Sequence, residues 1–213
     1  MSHAVVAQAV GVDLVHVPSF AAQLAEPGSV FSRVFTDREW SYCASLPSGI
    51  DEGEARPSRT EASLAARWAA KEAVIKAWSG LLYGRPPQVA PEEVDWAHIE
   101  VTPDRWGRPG VTFHGRIRAA LEELRADLGA NVHLDWSLSL SHDHDQAIAF
   151  VTVTALKTLE PAALDPDSAP GQSARPDPTE LSPSLRASQE GPPISSRNPA
   201  SSQGANSLST WPT

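Results

Sequence analysis

The sequence has 213 residues, with 17 lysines and arginines against 26 aspartates and glutamates and a formal net charge of −9. This acidic balance argues against a nucleic-acid-binding protein, which needs a basic face. The single cysteine, Cys43, excludes a disulfide framework or a cysteine zinc site within one chain. No run of 18 apolar residues and no signal-peptide pattern occur, so we expect no membrane partner and a cytoplasmic location.

The composition changes near Lys157. Ten of the 19 prolines follow this residue, and the segment 158–213 has a single aromatic residue, Trp211. Such a segment cannot bury enough apolar surface to offset the entropy that it would lose on ordering. We therefore predict a folded domain over residues 1–157, a size that supports one core, and a disordered Pro/Ser-rich tail over residues 158–213.

Periodicity and turn signals predict strands mixed with helices. In chain order we expect a strand over residues 8–15, helices over 18–24, 37–46 and 60–79, strands over 98–102 and 111–113, a helix over 115–128, and strands over 132–140 and 147–154. The capping-box pattern from Thr36 to Glu39 marks the start of the second helix. This order predicts an α+β domain with an antiparallel sheet and a long packed helix.

The longest predicted helix carries charges although it lacks a polar face. Large apolar residues such as Trp68 and Ile75 fall on one side of it, and alanines fall on the other. Its charged residues are Arg67, Lys71, Glu72 and Lys76. One interpretation is a helix salt bridge between Glu72 and Lys76, while the long side chains of Arg67 and Lys71 extend their charged ends to water. The alternative is a metal-chelated phosphate ligand, which one carboxylate and three cations suit.

Asp13 is a further charge in apolar surroundings, on the strand Gly11-Val-Asp-Leu-Val. It is either the cap of the following turn or a rigidly held ligand for a hard cation. Together with substrate phosphates and waters, Asp13 and Glu72 match the way in which Mg²⁺ is usually held.

A polar cluster, Ser139-Leu-Ser-His142-Asp-His144-Asp145, spans the end of one predicted strand and the connection over residues 141–145 to the last one. Its simplest interpretation is a hairpin turn, since these are ordinary turn residues. A zinc site from His142, Asp143 and His144 is the alternative, and the spacing does not decide between them.

These segments, in this order, resemble the holo-acyl-carrier-protein synthase family of 4′-phosphopantetheinyl transferases. The family's Gly-x-Asp pattern matches Gly11 to Asp13. Its helix pattern of Arg, aromatic, Ala-Ala-Lys-Glu-Ala, two residues and Lys-Ala matches residues 67–77 at every defined position. Residues 31–36, 107–109 and 137–143 are similar to further family segments. The resemblance covers residues 10–153 and is to the actinobacterial form.

The resemblance implies a magnesium-dependent enzyme of the phosphopantetheinyl transferase fold that acts in fatty acid synthesis. It would move the phosphopantetheine arm of coenzyme A onto a serine of apo acyl carrier protein and release adenosine 3′,5′-bisphosphate. It also implies a homotrimer with coenzyme A in clefts between subunits.

The resemblance also implies roles for individual residues. Asp13 and Glu72 match the metal-binding carboxylates, and Lys76 completes the catalytic set. Either Glu72 or a water on the metal would accept the serine proton. The implied contacts to coenzyme A are Arg67, Lys71, Lys76 and His142.

Two departures from the family pattern stand out. Residues 17–30 contain no basic residue, although the family's acidic carrier often docks on basic groups there. The segment 79–84 replaces the Gly-x-Gly run that often follows the long helix.

Two rival functions remain open at this point. A broad-specificity transferase for polyketide or peptide-synthetase carriers would resemble a fused pair of such domains, and only one copy is present. A non-catalytic coenzyme A-binding homologue would be expected to lack Asp13, Glu72 or Lys76, and all three are present.

Overall fold

The computed structural model describes residues 2–47 and 57–159, apart from the side chain of Ser32. Its elements are β1 (Ser2–His16), α1 (Val17–Ala25), α2 (Asp37–Ala44), α3 (Arg59–Leu81), β2 (Ile99–Pro103), β3 (Pro109–Phe113), α4 (Gly115–Leu128), β4 (Val132–Asp143) and β5 (Gln146–Leu159). The α+β prediction is confirmed, and all the described residues belong to one compact unit. Within the described ranges, no helix is long and apolar enough to cross a membrane.

The main sheet has three antiparallel strands in the order β1-β5-β4. Its register places Asp13 of β1 opposite Ala149 of β5, and Ala149 opposite Leu140 of β4. The strands β2 and β3 form a separate hairpin. The sheet therefore sets Asp13 level with the late part of β4, two strands away.

Several strand boundaries in the structure differ from the predicted ones, because strand pairing extends beyond the apolar runs of the sequence. Pairing begins at Ser2, opposite Leu159, whereas the sequence pattern predicted a first strand from residue 8. The turn predicted over residues 141–145 is shorter in the structure, since β4 runs to Asp143 and β5 begins at Gln146. The predicted domain boundary at Lys157 falls inside β5. Most of the predicted loop over residues 48–57, and the tail from residue 160, lie outside the described residues.

The long helix α3 starts with a capping box at Ser58 and Glu61, slightly before the predicted start at residue 60. The side chain of Ser58 accepts from the N–H of Glu61, whose carboxylate accepts from the N–H of Ser58. Fourteen of its residues are buried, from Ala62 to Trp78. The prediction of a long packed helix is confirmed by this burial.

The close approach of β1 to α3 depends on Gly11. A Cβ atom at this position would lie 2.7 Å from the backbone nitrogen of Ala77 and would also clash with the carbonyl oxygen of Ala73. Only a residue without a side chain lets the strand touch the helix backbone here. Two residues later, Asp13 consequently faces the helix at short range.

Candidate active site

The first contact of the candidate site joins Asp13 on β1 to Lys76 on α3. The ammonium of Lys76 donates to Oδ1 of Asp13 at 2.7 Å and to the carbonyl oxygen of Val12 at 3.2 Å. The Asp13 side chain is 11% exposed and that of Lys76 is 38% exposed. The pair therefore lies at a surface with the carboxylate inside and the cation toward solvent.

Glu72 lies one turn before Lys76 and beside Asp13. Burial raises the pKa of Glu72 to about 8, helped by the negative charge of Asp13 and by a hydrogen bond from the protonated form to Asp13. The Lys76 cation opposes this rise. Two adjacent, partly buried carboxylates repel each other, so both are ionised together only when a cation binds between them.

The two carboxyl groups fit a divalent hard cation. Oδ2 of Asp13 is buried and, apart from the neighbouring Glu72 carboxyl group, has no hydrogen-bond donor among the described residues. Mg²⁺ is typically bound through one or two carboxylates together with substrate phosphates and waters. The described part of the chain contains no group of three or more metal-ligating side chains, so it offers no protein-built zinc site at residues 142–144.

The structure corrects the expectation that Lys71 binds a phosphate. Its side chain is fully buried, and its ammonium donates to Glu39 at 3.0 Å and to the carbonyl oxygens of Trp96 and Ile99. Desolvation lowers the pKa of Lys71, and the Glu39 carboxylate partly offsets this. All three protons of the ammonium are used inside the core, so we leave Lys71 out of the proposed site.

Arg67 lies on the same side of α3 as Lys71 and is also enclosed. Its guanidinium donates to the carbonyl oxygens of Val101 and Ser63 at 3.2 and 3.1 Å, and to the hydroxyl of Ser63 at 2.7 Å. It also stacks over the ring of Tyr42. The described contacts of Arg67 are therefore structural, and a role toward coenzyme A remains a prediction.

His142 lies on β4, on the strand that is separated from β1 by β5. It is exposed and pairs with Ala147. Two strand spacings put it roughly 10 Å from β1 across the sheet. The structure brings together Asp13, Glu72 and Lys76, but it does not bring His142 into contact with them within one chain.

Glu39 is the buried residue that the sequence analysis missed. It was assigned only to the capping box, yet its Oε2 also accepts from Lys71, and its Oε1 accepts from the N–H of Val101 at 2.9 Å. Lys71 could have indicated that such a residue exists, because a lysine on an apolar helix face needs a buried acidic partner.

The family model of the 4′-phosphopantetheinyl transferase superfamily matches residues 9–151. The chain belongs to this superfamily. The matched range contains Asp13, Glu72, Lys76 and His142, so every residue of the site proposed below lies inside the superfamily domain.

Curated relatives agree with this assignment to the transferase superfamily. The holo-[acyl-carrier-protein] synthase of Corynebacterium glutamicum is 41% identical over 145 residues, which is 68% of this chain and 96% of that protein. The Corynebacterium efficiens protein of the same name is 45% identical over 140 residues, covering 66% and 89%. That of Mycobacterium tuberculosis is 41% identical over 146 residues, covering 68% and 95%. The actinobacterial resemblance is confirmed.

Solved structures of superfamily members have the same fold. The ACPS–CoA complex from Chronobacterium ammoniagenes is 44% identical with a TM-score of 0.58, covering 70% of this chain and 98% of that chain. An apo-ACPS structure is 39% identical with a TM-score of 0.59, covering 74% and 100%.

Proposed function

We propose that this chain is a holo-[acyl-carrier-protein] synthase, which transfers 4′-phosphopantetheine from coenzyme A to a serine of apo acyl carrier protein. The observation that carries the proposal is the convergence of Asp13, Glu72 and Lys76 at a partly buried surface. The names of the relatives and the coenzyme A in a 44%-identical structure support the substrate pair. The presence of all three residues disfavours a non-catalytic homologue.

Each of these residues has a different role in the proposed transfer reaction. The serine oxygen attacks the β-phosphorus of coenzyme A, and the bond from that phosphorus to the adenosine 3′,5′-bisphosphate oxygen breaks. Asp13 and Glu72 would hold Mg²⁺, and the metal would supply positive charge near the pyrophosphate. Lys76 reaches the same surface and stabilises the charge that grows on the leaving phosphate. Glu72 is our candidate among the protein groups to accept the serine proton, the alternative being water at the site.

Intact mass of the carrier protein tests this proposal directly. With apo acyl carrier protein, coenzyme A and Mg²⁺, the carrier should gain one phosphopantetheine group. Asp13→Ala and Glu72→Ala should each lower the rate by at least about a hundredfold. Glu123→Ala, an exposed carboxylate on α4, is the matched control and should keep the rate.

Two results of this assay would favour the rival functions. Coenzyme A binding without transfer would indicate the non-catalytic homologue. Equal rates on a peptide-synthetase carrier would indicate the broad-specificity transferase.

We also propose that the chain assembles as a homotrimer through the outer face of the main sheet. This face exposes Val10, Val12 and Leu14 of β1 beside Ile148 and Phe150 of β5. In the register, Val12 pairs with Phe150 and Leu14 with Ile148, so these side chains form one contiguous patch. Such apolar patches mark interaction sites, and closed symmetry between identical copies is the common solution.

A further inference from the structure

A second concave site lies away from the proposed active site, between α4, β3 and β4. The cavity has a volume of about 430 Å³. Its strand wall includes Trp136, whereas Asp13 is level with Leu140, about 13 Å further along the strand. Its volume falls in the range of about 300–1,000 Å³ that is usual for small-molecule clefts.

The floor of this cavity is apolar and partly aromatic. The rings of Phe113 and Trp136 contact each other with centroids 5.0 Å apart. Leu121 of α4 and Leu134 of β4 complete the apolar lining. A ligand would therefore place an apolar body against these side chains.

The rim of the cavity is basic, although the whole chain is acidic. The guanidinium of Arg118 has no hydrogen bond or ion pair to any other described residue, and the side chain is exposed. Arg125, by contrast, donates to Glu122 at 2.8 Å and to the carbonyl oxygen of Val132 at 3.2 Å. Glu122 thus neutralises Arg125, and one full positive charge remains at Arg118. His133 lies on the opposite wall.

We propose that this cavity binds a small carboxylate with an apolar body. One free guanidinium matches a carboxylate, which its planar fork can bind through two hydrogen bonds. A phosphate dianion would need more cations than the rim supplies. The cavity lies outside the Asp13–Glu72–Lys76 cluster, so the proposal does not depend on the proposed transfer reaction.

Octanoate is a suitable probe, titrated into the ¹⁵N-labelled full-length chain. The indole N–H signal of Trp136, identified by its loss in Trp136→Phe, should shift saturably. Octanol, which has a similar body without the charge, should produce a much smaller shift. Excess coenzyme A should leave the octanoate titration unchanged.

Paired arginine variants separate the proposed site from general binding. Arg118→Gln should weaken octanoate binding roughly tenfold, because a charge-assisted hydrogen bond is lost. Arg116→Gln is the control, since Arg116 is on the same helix but pairs with Glu93 at 2.8 Å and does not line the cavity. No saturable shift, equal binding of octanol, equal affinity in Arg118→Gln, or displacement by coenzyme A would each overturn the proposal.

Discussion

Glu72 is the carboxyl group whose charge its surroundings oppose most clearly. Its pKa of about 8 in the folded chain lies above the ordinary value of 4.5, because of burial and the adjacent Asp13. Between these two values the folded chain holds a proton that the unfolded chain has released. The contribution of Glu72 to the free energy of unfolding is therefore complete below about pH 4.5 and falls as pH rises toward 8.

This titration gives a prediction for the metal-free protein. In EDTA, wild type should lose more stability between pH 5 and 8 than Glu72→Gln, which is neutral throughout. Urea denaturation at several pH values measures the difference. Because both proteins share all other titrating groups, equal slopes would contradict the shifted pKa of Glu72.

Lys71 and Lys76 are five residues apart on α3. We predict that substitution of Lys71 mainly lowers stability, whereas substitution of Lys76 mainly lowers the rate of transfer. Lys71→Met leaves the buried Glu39 carboxylate without its cation and should cost about 3–5 kcal/mol of stability. Lys76→Met removes a partly exposed pair and should change stability by no more than about 1 kcal/mol, while strongly lowering transfer. Thermal denaturation and the carrier assay together measure both.

A double variant provides a control for the predicted loss of stability in Lys71→Met. This variant, Lys71→Met with Glu39→Gln, should recover part of the stability lost by Lys71→Met, because no unpaired buried charge remains. If Lys71→Met is as stable as wild type, the buried pair does not have the role assigned to it.

At the scale of single residues, sequence reasoning identified which side chains are unusual but not which of them meet. Asp13, Glu72 and Lys76 were expected together, and the structure places them together. Lys71 was expected with them because it is one of the charges on this helix and because the family resemblance implies a contact to coenzyme A. Its partners, Glu39 and the carbonyl oxygen of Ile99, come from distant elements, and nothing local in the sequence determines that packing.

At the scale of elements, the contact between β1 and α3 fixes the site, and Gly11 permits this contact. We predict that Gly11→Ala forces the strand away from Ala73 and Ala77, at a cost of about 1–3 kcal/mol. It should also lower transfer, because Asp13 moves with the strand. Gly110→Ala on β3 is the control, since its added Cβ would meet only Thr102, at 3.7 Å. Equal melting temperatures of the two variants would contradict this close packing.

The elements themselves were largely predictable, and their ends were not. Local signals identified the capping box at Thr36 and the helix over residues 115–128 as they occur in the structure. The first strand was predicted too short because residues 2–7 pair along the end of β5, a contact distant in sequence. The strand pairing that extends β4 and β5 toward residue 145 is likewise tertiary.

At the scale of the whole molecule, the proposed trimer would explain both the apolar outer face of the sheet and the isolated position of His142. One chain places Asp13, Glu72 and Lys76 together, but leaves His142 exposed two strands away. A homotrimer joined through the sheet faces would let His142 of one subunit complete the cleft of its neighbour. Of the predicted tail, Thr158 and Leu159 belong to β5, and the assignment of residues 160–213 stays a prediction from composition.

Mixed oligomers test this shared cleft. Light scattering should first give a mass of three chains, and a monomer would remove the basis for sharing. Glu72→Ala and His142→Ala should each be inactive alone, and unfolding and reassembling them together should restore activity. With random mixing, roughly a quarter of the clefts combine an intact Glu72 with an intact His142 from the neighbour, so activity should recover to about that fraction. A trimer without recovery would place both groups in one subunit's cleft, and an active His142→Ala protein would show that His142 is dispensable.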